Sequence, residues 1–176
     1  MERLTKKHFA EQVCLYGFGW ISNGHWMVRQ SSVPNGILFD CSPEVVATAL
    51  GVTNKGFFAP RRFESEAEPQ NGLRAISTAK PLRLTGMLLD RYALGGLLKD
   101  SVARLAVSED GECAAYSDAY CKLLGLVPGA VIYGGNMQGA YSSSDAESVA
   151  WCLMPMRFEK EILATQLGAK FLESLK

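Results

Sequence analysis

The chain has little of what metalloenzymes, disulfide-stabilised secreted proteins and membrane proteins need. Its 176 residues include two histidines and five cysteines, and no two cysteines form a Cys-x-x-Cys pair. No stretch approaches the roughly 20 apolar residues that cross a membrane. Lys6, Lys7 and Glu11 interrupt any N-terminal apolar run that could act as a signal peptide. These absences predict a cytoplasmic protein with free thiols, no metal, no disulfide framework and no membrane association.

The chain also lacks an excess of charge of either sign. Eighteen basic residues face eighteen acidic ones, so no global field attracts nucleic acid, and direct nucleic-acid binding is not expected. The acidic residues are nevertheless uneven, because 105–150 holds six of them against Lys122 alone. This pattern indicates either an ordinary solvated surface or a face for a basic partner, including a face that mimics nucleic acid. Its candidate binding residues are Glu109, Asp110, Glu112 and Asp118.

What is present is a globular balance, with 48% apolar residues, and strong turn signals. Asn23-Gly24 predicts a hairpin over 20–30, and Asp110-Gly111 predicts another between 102–107 and 112–118. A short helix is expected over 5–16, because Phe9 and Val13 lie four residues apart. The polar stretch 59–72 is expected to be a linker or a long surface loop.

Further strands are expected near 82–89, 130–133 and 148–154. Leucines and a phenylalanine at four-residue steps predict a C-terminal amphipathic helix over 159–175. That helix would pack on the chain's own sheet or on another copy, so a homo-oligomer remains open.

The order of elements predicts an α+β fold with a largely antiparallel sheet in a single domain spanning 1–176. Two similar helix-plus-strands halves, about 1–58 and 81–157, are separated by a polar loop over 59–80 and followed by the C-terminal helix. A short internal repeat supports the halves, because Ser22-Asn23-Gly24-His25 is similar to Ser117-Asp118-Ala119-Tyr120.

Residues that could carry chemistry are few. His25 stands beside Trp26, and together with Trp20 and Cys41 it could line a pocket of a small enzyme or ligand-binding protein. A Cys–His nucleophile formed by His25 with Cys14 or Cys41 stays open as an alternative, but no nucleophile motif accompanies it. The glycines over 134–139 lack the Lys-Ser/Thr ending of a phosphate loop. The sequence therefore predicts no catalytic residue and no cofactor, and leaves enzymatic activity open but disfavoured.

Two segments resemble the sliding clamps of bacterial DNA replication. Residues 145–157 form an acidic, small-residue approach to an apolar strand that ends in Met154-Pro155-Met156-Arg157, and clamps end their last domain in the same way. The hairpin over 106–123 is similar to a clamp strand that ends in Thr-Asp-Gly-His-Arg. Here Ser117-Asp118 keep the first two positions, whereas Ala119 and Tyr120 replace the glycine and histidine.

The resemblance implies a clamp-like fold and a groove for short peptide motifs formed around the Met-Pro-Met-Arg ending. Some features depart from the clamp pattern. A clamp subunit has three such domains and basic helices that line its ring, whereas this chain has room for one domain and has no basic helix face. A clamp also ends at this motif, whereas here a helix is predicted to follow it, which could cover or occupy the groove.

The leading hypothesis is a non-enzymatic, clamp-like protein-binding module, encoded by a phage or another mobile element. It would act on a replication or defence protein of the host, as an inhibitor or as a recruited component. The candidate contacts are Met154 to Arg157 and the acidic hairpin residues. The alternatives are the small enzyme or ligand-binding protein with a pocket at His25, and a structural subunit that assembles through 159–175.

Overall fold

The computed structural model describes residues 15–32, 61–89, 102–135 and 138–156. Its strands are β1 (Leu15–Gly17), β2 (Trp20–Ser22), β3 (Trp26–Arg29), β4 (Arg61–Arg62), β5 (Lys80–Leu89), β6 (Ala103–Val107), β7 (Cys113–Ser117), β8 (Val131–Gly134), β9 (Ala140–Tyr141) and β10 (Trp151–Leu153). Its helices are α1 (Ala67–Asn71) and α2 (Asp118–Leu123), with 3-10 turns at Gln30–Ser32 and Ile76–Thr78.

The ten strands form one mixed sheet in the order β4-β1-β2-β3-β10-β9-β8-β5-β6-β7. β4 lies parallel to β1, and the other strand pairs of the described residues are antiparallel. The predicted α+β class is therefore wrong, because the described residues are mainly β and the two helices have only five and six residues. The helix predicted over 159–175 lies outside the described residues.

The prediction of a helix over 5–16 is wrong at its C-terminal end. Leu15 and Tyr16 belong to β1, where Tyr16 pairs with Ile21 of β2 and is fully buried. The helical spacing of Phe9 and Val13 gave no information about the pairing of β1 with β2. That pairing depends on the turn that follows β1. Residues 5–14 lie outside the described residues.

The sheet closes on itself through the segment that follows β10. The N–H of Met156 donates to the carbonyl of Ala115 in β7 at 2.8 Å, and the two residues form an antiparallel bridge. Six strands, β5 to β10, therefore form a closed ring in which two three-stranded meanders pair with each other. β3 lies beside β10 just before this bridge, so the β2–β3 hairpin is attached where the ring closes.

Alternating side chains divide the buried residues between the two faces of the sheet. In β3, Trp26 and Val28 belong to the cluster that fills the ring with Leu82, Leu84, Tyr116 and Ile132, whereas Met27 belongs to the opposite face. That opposite face of β2, β3, β9 and β10 packs against the segment over 61–79. A third cluster covers the outer face of β6 and β7 and includes the half-buried Met156.

The polar segment predicted to be a surface loop or linker is part of the packed structure. Phe63, Leu73 and Ile76 are buried against the sheet, and Pro69 is buried in α1. The N–H of Phe63 donates to the carbonyl of Tyr16 at 2.8 Å, which continues the parallel pairing of β4 with β1. Only a few apolar side chains of this segment pack against the sheet. Because most of its other residues are polar, its composition predicted an exposed loop.

The two hairpins predicted from their turn residues are confirmed. Gly24 and Gly111 both have a φ of +86°, the left-handed conformation that glycine adopts without steric cost. Asn23 adds local bonds in the first turn, because its Oδ1 accepts from the N–H groups of His25 at 2.8 Å and Trp26 at 2.9 Å.

We predict opposite outcomes for two Gly→Ala substitutions. A Cβ at Gly134 would lie 2.7 Å from the Tyr116 hydroxyl and 3.1 Å from the Gly139 carbonyl, so Gly134→Ala should destabilise the fold by about 1–3 kcal/mol. A Cβ at Gly86 meets nothing within 4 Å, so Gly86→Ala should leave stability unchanged or slightly higher. Denaturant unfolding measures both. Equal losses would show that Gly134 is not tightly packed.

Candidate binding surface

The turn between β2 and β3 contacts both α2 and the residue that follows β10. The rings of His25 and Tyr120 stack with centroids 6.1 Å apart and planes inclined by 20°. The Nδ2 of Asn23 donates to the Tyr120 hydroxyl at 3.3 Å. The N–H of Met154 donates to the carbonyl of His25 at 2.8 Å. We call these four residues, Asn23, His25, Tyr120 and Met154, the His25 surface.

The His25 surface combines an exposed apolar residue, Met154, with the stacked rings of His25 and Tyr120. Met154 is 55% exposed, His25 is exposed, and Tyr120 and Asn23 are half-buried. The N–H of Met154 is bonded to the carbonyl of His25, so the backbone of Met154 is tied to the turn. A methionine side chain is flexible and polarisable, and it packs against partners of varied shape.

The sequence assigned His25 and Met154 to different hypotheses, one a pocket and the other a binding edge. Their contact is formed only when β10 pairs with β3, across more than a hundred residues of sequence. Tyr120 was not predicted as a site residue. The internal repeat nevertheless contained a signal, because it aligned Tyr120 with His25, the residue on which it stacks.

The rest of the Met-Pro-Met-Arg motif is less available. Pro155 and Met156 are half-buried, and Met156 packs against the cluster on β6 and β7. Its N–H is bonded to Ala115, so the backbone is not an open edge at that residue. Arg157 lies outside the described residues. Of the motif residues that the structure describes, Met154 is the one with a largely exposed side chain.

Two of the acidic hairpin residues are engaged within the chain. The Nζ of Lys80 lies 3.3 Å from a carboxylate oxygen of Asp110 and 3.0 Å from one of Glu112. The Ser108 hydroxyl also donates to Asp110, and this bond, followed by that from Lys80, lowers the pKa of Asp110 to about 2. The same contacts, from Glu112 first and then Asp110, raise the pKa of Lys80. The acidic face is therefore partly neutralised, and Glu109 is left exposed.

Asp118 is placed in the interior and not on the acidic face. Its carboxylate accepts from Nε of Arg104 at 2.8 Å and pairs with Nζ of Lys122 at 2.7 Å. Arg104 is also buried, and its NH1 donates to the carbonyl of Thr85 at 3.1 Å. Burial by itself would raise the pKa of Asp118, but the bonds from Lys122 and Arg104 outweigh it and lower the pKa. This ion pair fixes the start of α2, the helix that carries Tyr120.

Of the predicted pocket residues, the three that the structure describes, Trp20, His25 and Trp26, do not line one pocket. Trp20 and Trp26 are both 2% exposed, but they belong to clusters on opposite faces of the sheet. The guanidinium of Arg29 lies 4.6 Å from the centre of the Trp20 ring. His25 lies in the exposed turn, and Cys41 lies outside the described residues, as does Cys14.

Comparison with protein-family models, curated proteins and solved structures found no match. In the described ranges, no group of three or more His, Cys, Asp or Glu residues is placed to hold a metal ion. No helix in the same ranges is long and apolar enough to cross a membrane. The inference of function therefore depends on the chemistry of the His25 surface.

We predict that Asp118→Asn destabilises the fold by about 3 kcal/mol or more, because it leaves the charge of Arg104 buried without its partner. The exposed Glu109→Gln is the control and should change stability little. Because the folded-state pKa of Asp118 is lowered, its contribution is present above the unfolded-state pKa of about 3.9. That contribution should be lost as the pH falls further. Urea unfolding from pH 7 to pH 3 tests this, and equal losses in both variants would contradict it.

Proposed function

We propose that this chain is a protein-binding module that contacts its partner through the His25 surface. The observation that carries the proposal is the 55% exposed Met154, whose backbone is bonded to His25, the residue that stacks on Tyr120. Large apolar and aromatic side chains in a fixed arrangement are the groups that contribute most to protein interfaces. Binding, and not catalysis, is the activity that these residues support.

Hydrogen bonding adds directional contacts to the apolar one. The Tyr120 hydroxyl accepts from Asn23, so its own proton can be donated to a partner carbonyl. The imidazole of His25 is exposed and offers a second polar group. Asn23 holds the turn through its bonds to the N–H groups of His25 and Trp26, which reduces the entropy lost on binding.

The resemblance to sliding clamps adds a class of partner to this proposal. It implies a replication protein of a host cell, and a defence protein is the second possibility. A chain encoded by a phage or other mobile element would either recruit such a protein or inhibit it. Assembly into a homo-oligomer is compatible with this activity, because the His25 surface is formed within one chain.

We predict that Met154→Asp abolishes partner recovery, because it places a charge where an apolar side chain would be buried. Tagged wild-type chain and the variant would be compared in a lysate pull-down read by mass spectrometry, after circular dichroism shows that both fold. Val127→Asp is the matched control, since Val127 is 63% exposed outside the His25 surface. The partner should then be purified and titrated, with an affinity for Met154→Asp at least about tenfold weaker than for wild type.

Tyr120→Phe separates the hydroxyl from the ring. It keeps the stacking surface on His25 and removes the donor, so binding should weaken by less than it does in Met154→Asp. Equal recovery of the same partner by wild type and Met154→Asp would rule out the His25 surface. Equal loss in Val127→Asp would show a general effect of added surface charge.

A further inference from the structure

The turn between β1 and β2 holds an aromatic residue in a conformation that it disfavours. Gly17, Phe18 and Gly19 have φ values of +125°, +49° and +76°. Phe18 and Gly19 are the two residues that connect the paired Gly17 and Trp20. Turns of this kind favour Asn or Gly at both positions, whereas a bulky side chain at positive φ is a strained outlier.

The buried clusters of the described residues do not explain why this strained position holds phenylalanine. The Phe18 side chain is 43% exposed and belongs to none of the buried clusters. An asparagine at this site would relieve the strain and expose less apolar surface. Strained residues are retained at sites of recognition when the surrounding structure holds them in place.

The turn is held on a rigid base. Trp20 is buried beneath it, and the Arg29 guanidinium covers the Trp20 ring at 4.6 Å. Arg29 in turn donates to the carbonyls of Val149 at 2.5 Å and Ala146 at 3.0 Å. These contacts hold Trp20, the residue that ends the turn, in place.

The guanidinium of Arg62 has no ion-pair partner among the described residues, and its Nε lies 3.6 Å from the Cβ position of Gly17 in the turn. Arg62 is exposed, and its Cγ lies 3.3 Å from the position that a Cβ would take at Gly17. Its neighbour Arg61 lies near Glu64 at 3.9 Å and Glu68 at 3.7 Å, whereas Arg62 forms no ion pair with any described residue. Arg62 therefore lies against Gly17, the residue that precedes Phe18 in the turn.

We propose that Phe18 and Arg62 form a second interaction surface, which fits a partner protein with an apolar pocket bordered by carboxylates. Phe18 enters the pocket, and Arg62 pairs with the acidic border, as interface anchors of these two residue types do. This surface is separate from the His25 surface, because the two turns lie at opposite ends of β2. The Phe18–Arg62 surface does not include Met154, so an experiment can contradict either proposed surface without contradicting the other.

The direct test replaces Phe18 with p-benzoylphenylalanine, which keeps an aromatic side chain and crosslinks on illumination in lysate. The same residue at Val127 is the matched control, because Val127 is exposed and lies in a different turn. The expected result is a protein crosslinked from position 18 alone, with the attachment mapped to an apolar pocket that has Asp or Glu at its edge. No position-specific crosslink, or a crosslink to nucleic acid or to a pocket without acidic residues, would overturn the proposal.

Substitutions test how much Phe18 and Arg62 contribute to the binding affinity. The partner protein identified by crosslinking is purified and titrated with each variant. Phe18→Asn should bind it at least about tenfold more weakly while its Tm equals or exceeds that of wild type. Arg62→Gln should weaken binding by a factor that shrinks as salt is raised. A lower Tm in Phe18→Asn would mean that Phe18 supports the fold, and unchanged binding would mean that it is no anchor. Met154→Asp is titrated in the same way. Unchanged binding of Met154→Asp assigns the partner to the Phe18–Arg62 surface, and weakened binding assigns it to the His25 surface.

Discussion

The backbone bond between Met156 and Ala115 closes the sheet, because it joins the segment after β10 to β7. Without it, β7 would be an open edge with unpaired N–H and C=O groups, which is a site for unwanted strand pairing. With it, six strands surround a core that includes Leu82, Tyr116 and Ile132. Between β10 and Met156 the neighbouring strand changes from β3 to β7. The β2–β3 turn therefore lies next to α2, which follows β7. His25 stacks on Tyr120 near the place where the ring closes.

The short helix α2 depends on tertiary contacts for its stability. Six residues are too few to form a stable helix in water by themselves, because nucleation is costly. Asp118 joins the helix to Arg104 inside the ring, and Arg104 reaches the carbonyl of Thr85 where the pairing of β5 with β6 shifts register. The Thr85 hydroxyl donates to Leu105 at 2.8 Å at the same irregularity. A buried polar network therefore satisfies the interrupted strand and also positions Tyr120.

The ion pairs on the surface of the protein differ from the ion pair in its interior in what they contribute to stability. The hairpin acids Asp110 and Glu112 share one lysine on the surface, where exposed pairs contribute little to stability. Asp118 occupies the interior and has two basic partners. In the sequence, Asp110, Glu112 and Asp118 all belong to one acidic region. Only the tertiary structure shows that Asp118 is buried in an ion pair whereas the other two lie on the surface. The exposed apolar side chains Phe18 and Met154 are more distinctive than the acidic residues, because each projects from a backbone fixed by its neighbours.

The sequence by itself determined the local features, namely the turns at Asn23-Gly24 and Asp110-Gly111 and the strands that flank them. These depend on backbone conformations that neighbouring residues select, so a short window contains the information. The tertiary structure decided the mainly β class, the packing of the polar segment over 61–79, the burial of Asp118 and the meeting of His25 with Met154. Each of these depends on pairing between residues far apart in the chain, such as Trp26 with Leu153 or Ala115 with Met156. A one-residue change of register would reverse which side chains face the core, and only the assembled sheet fixes that register.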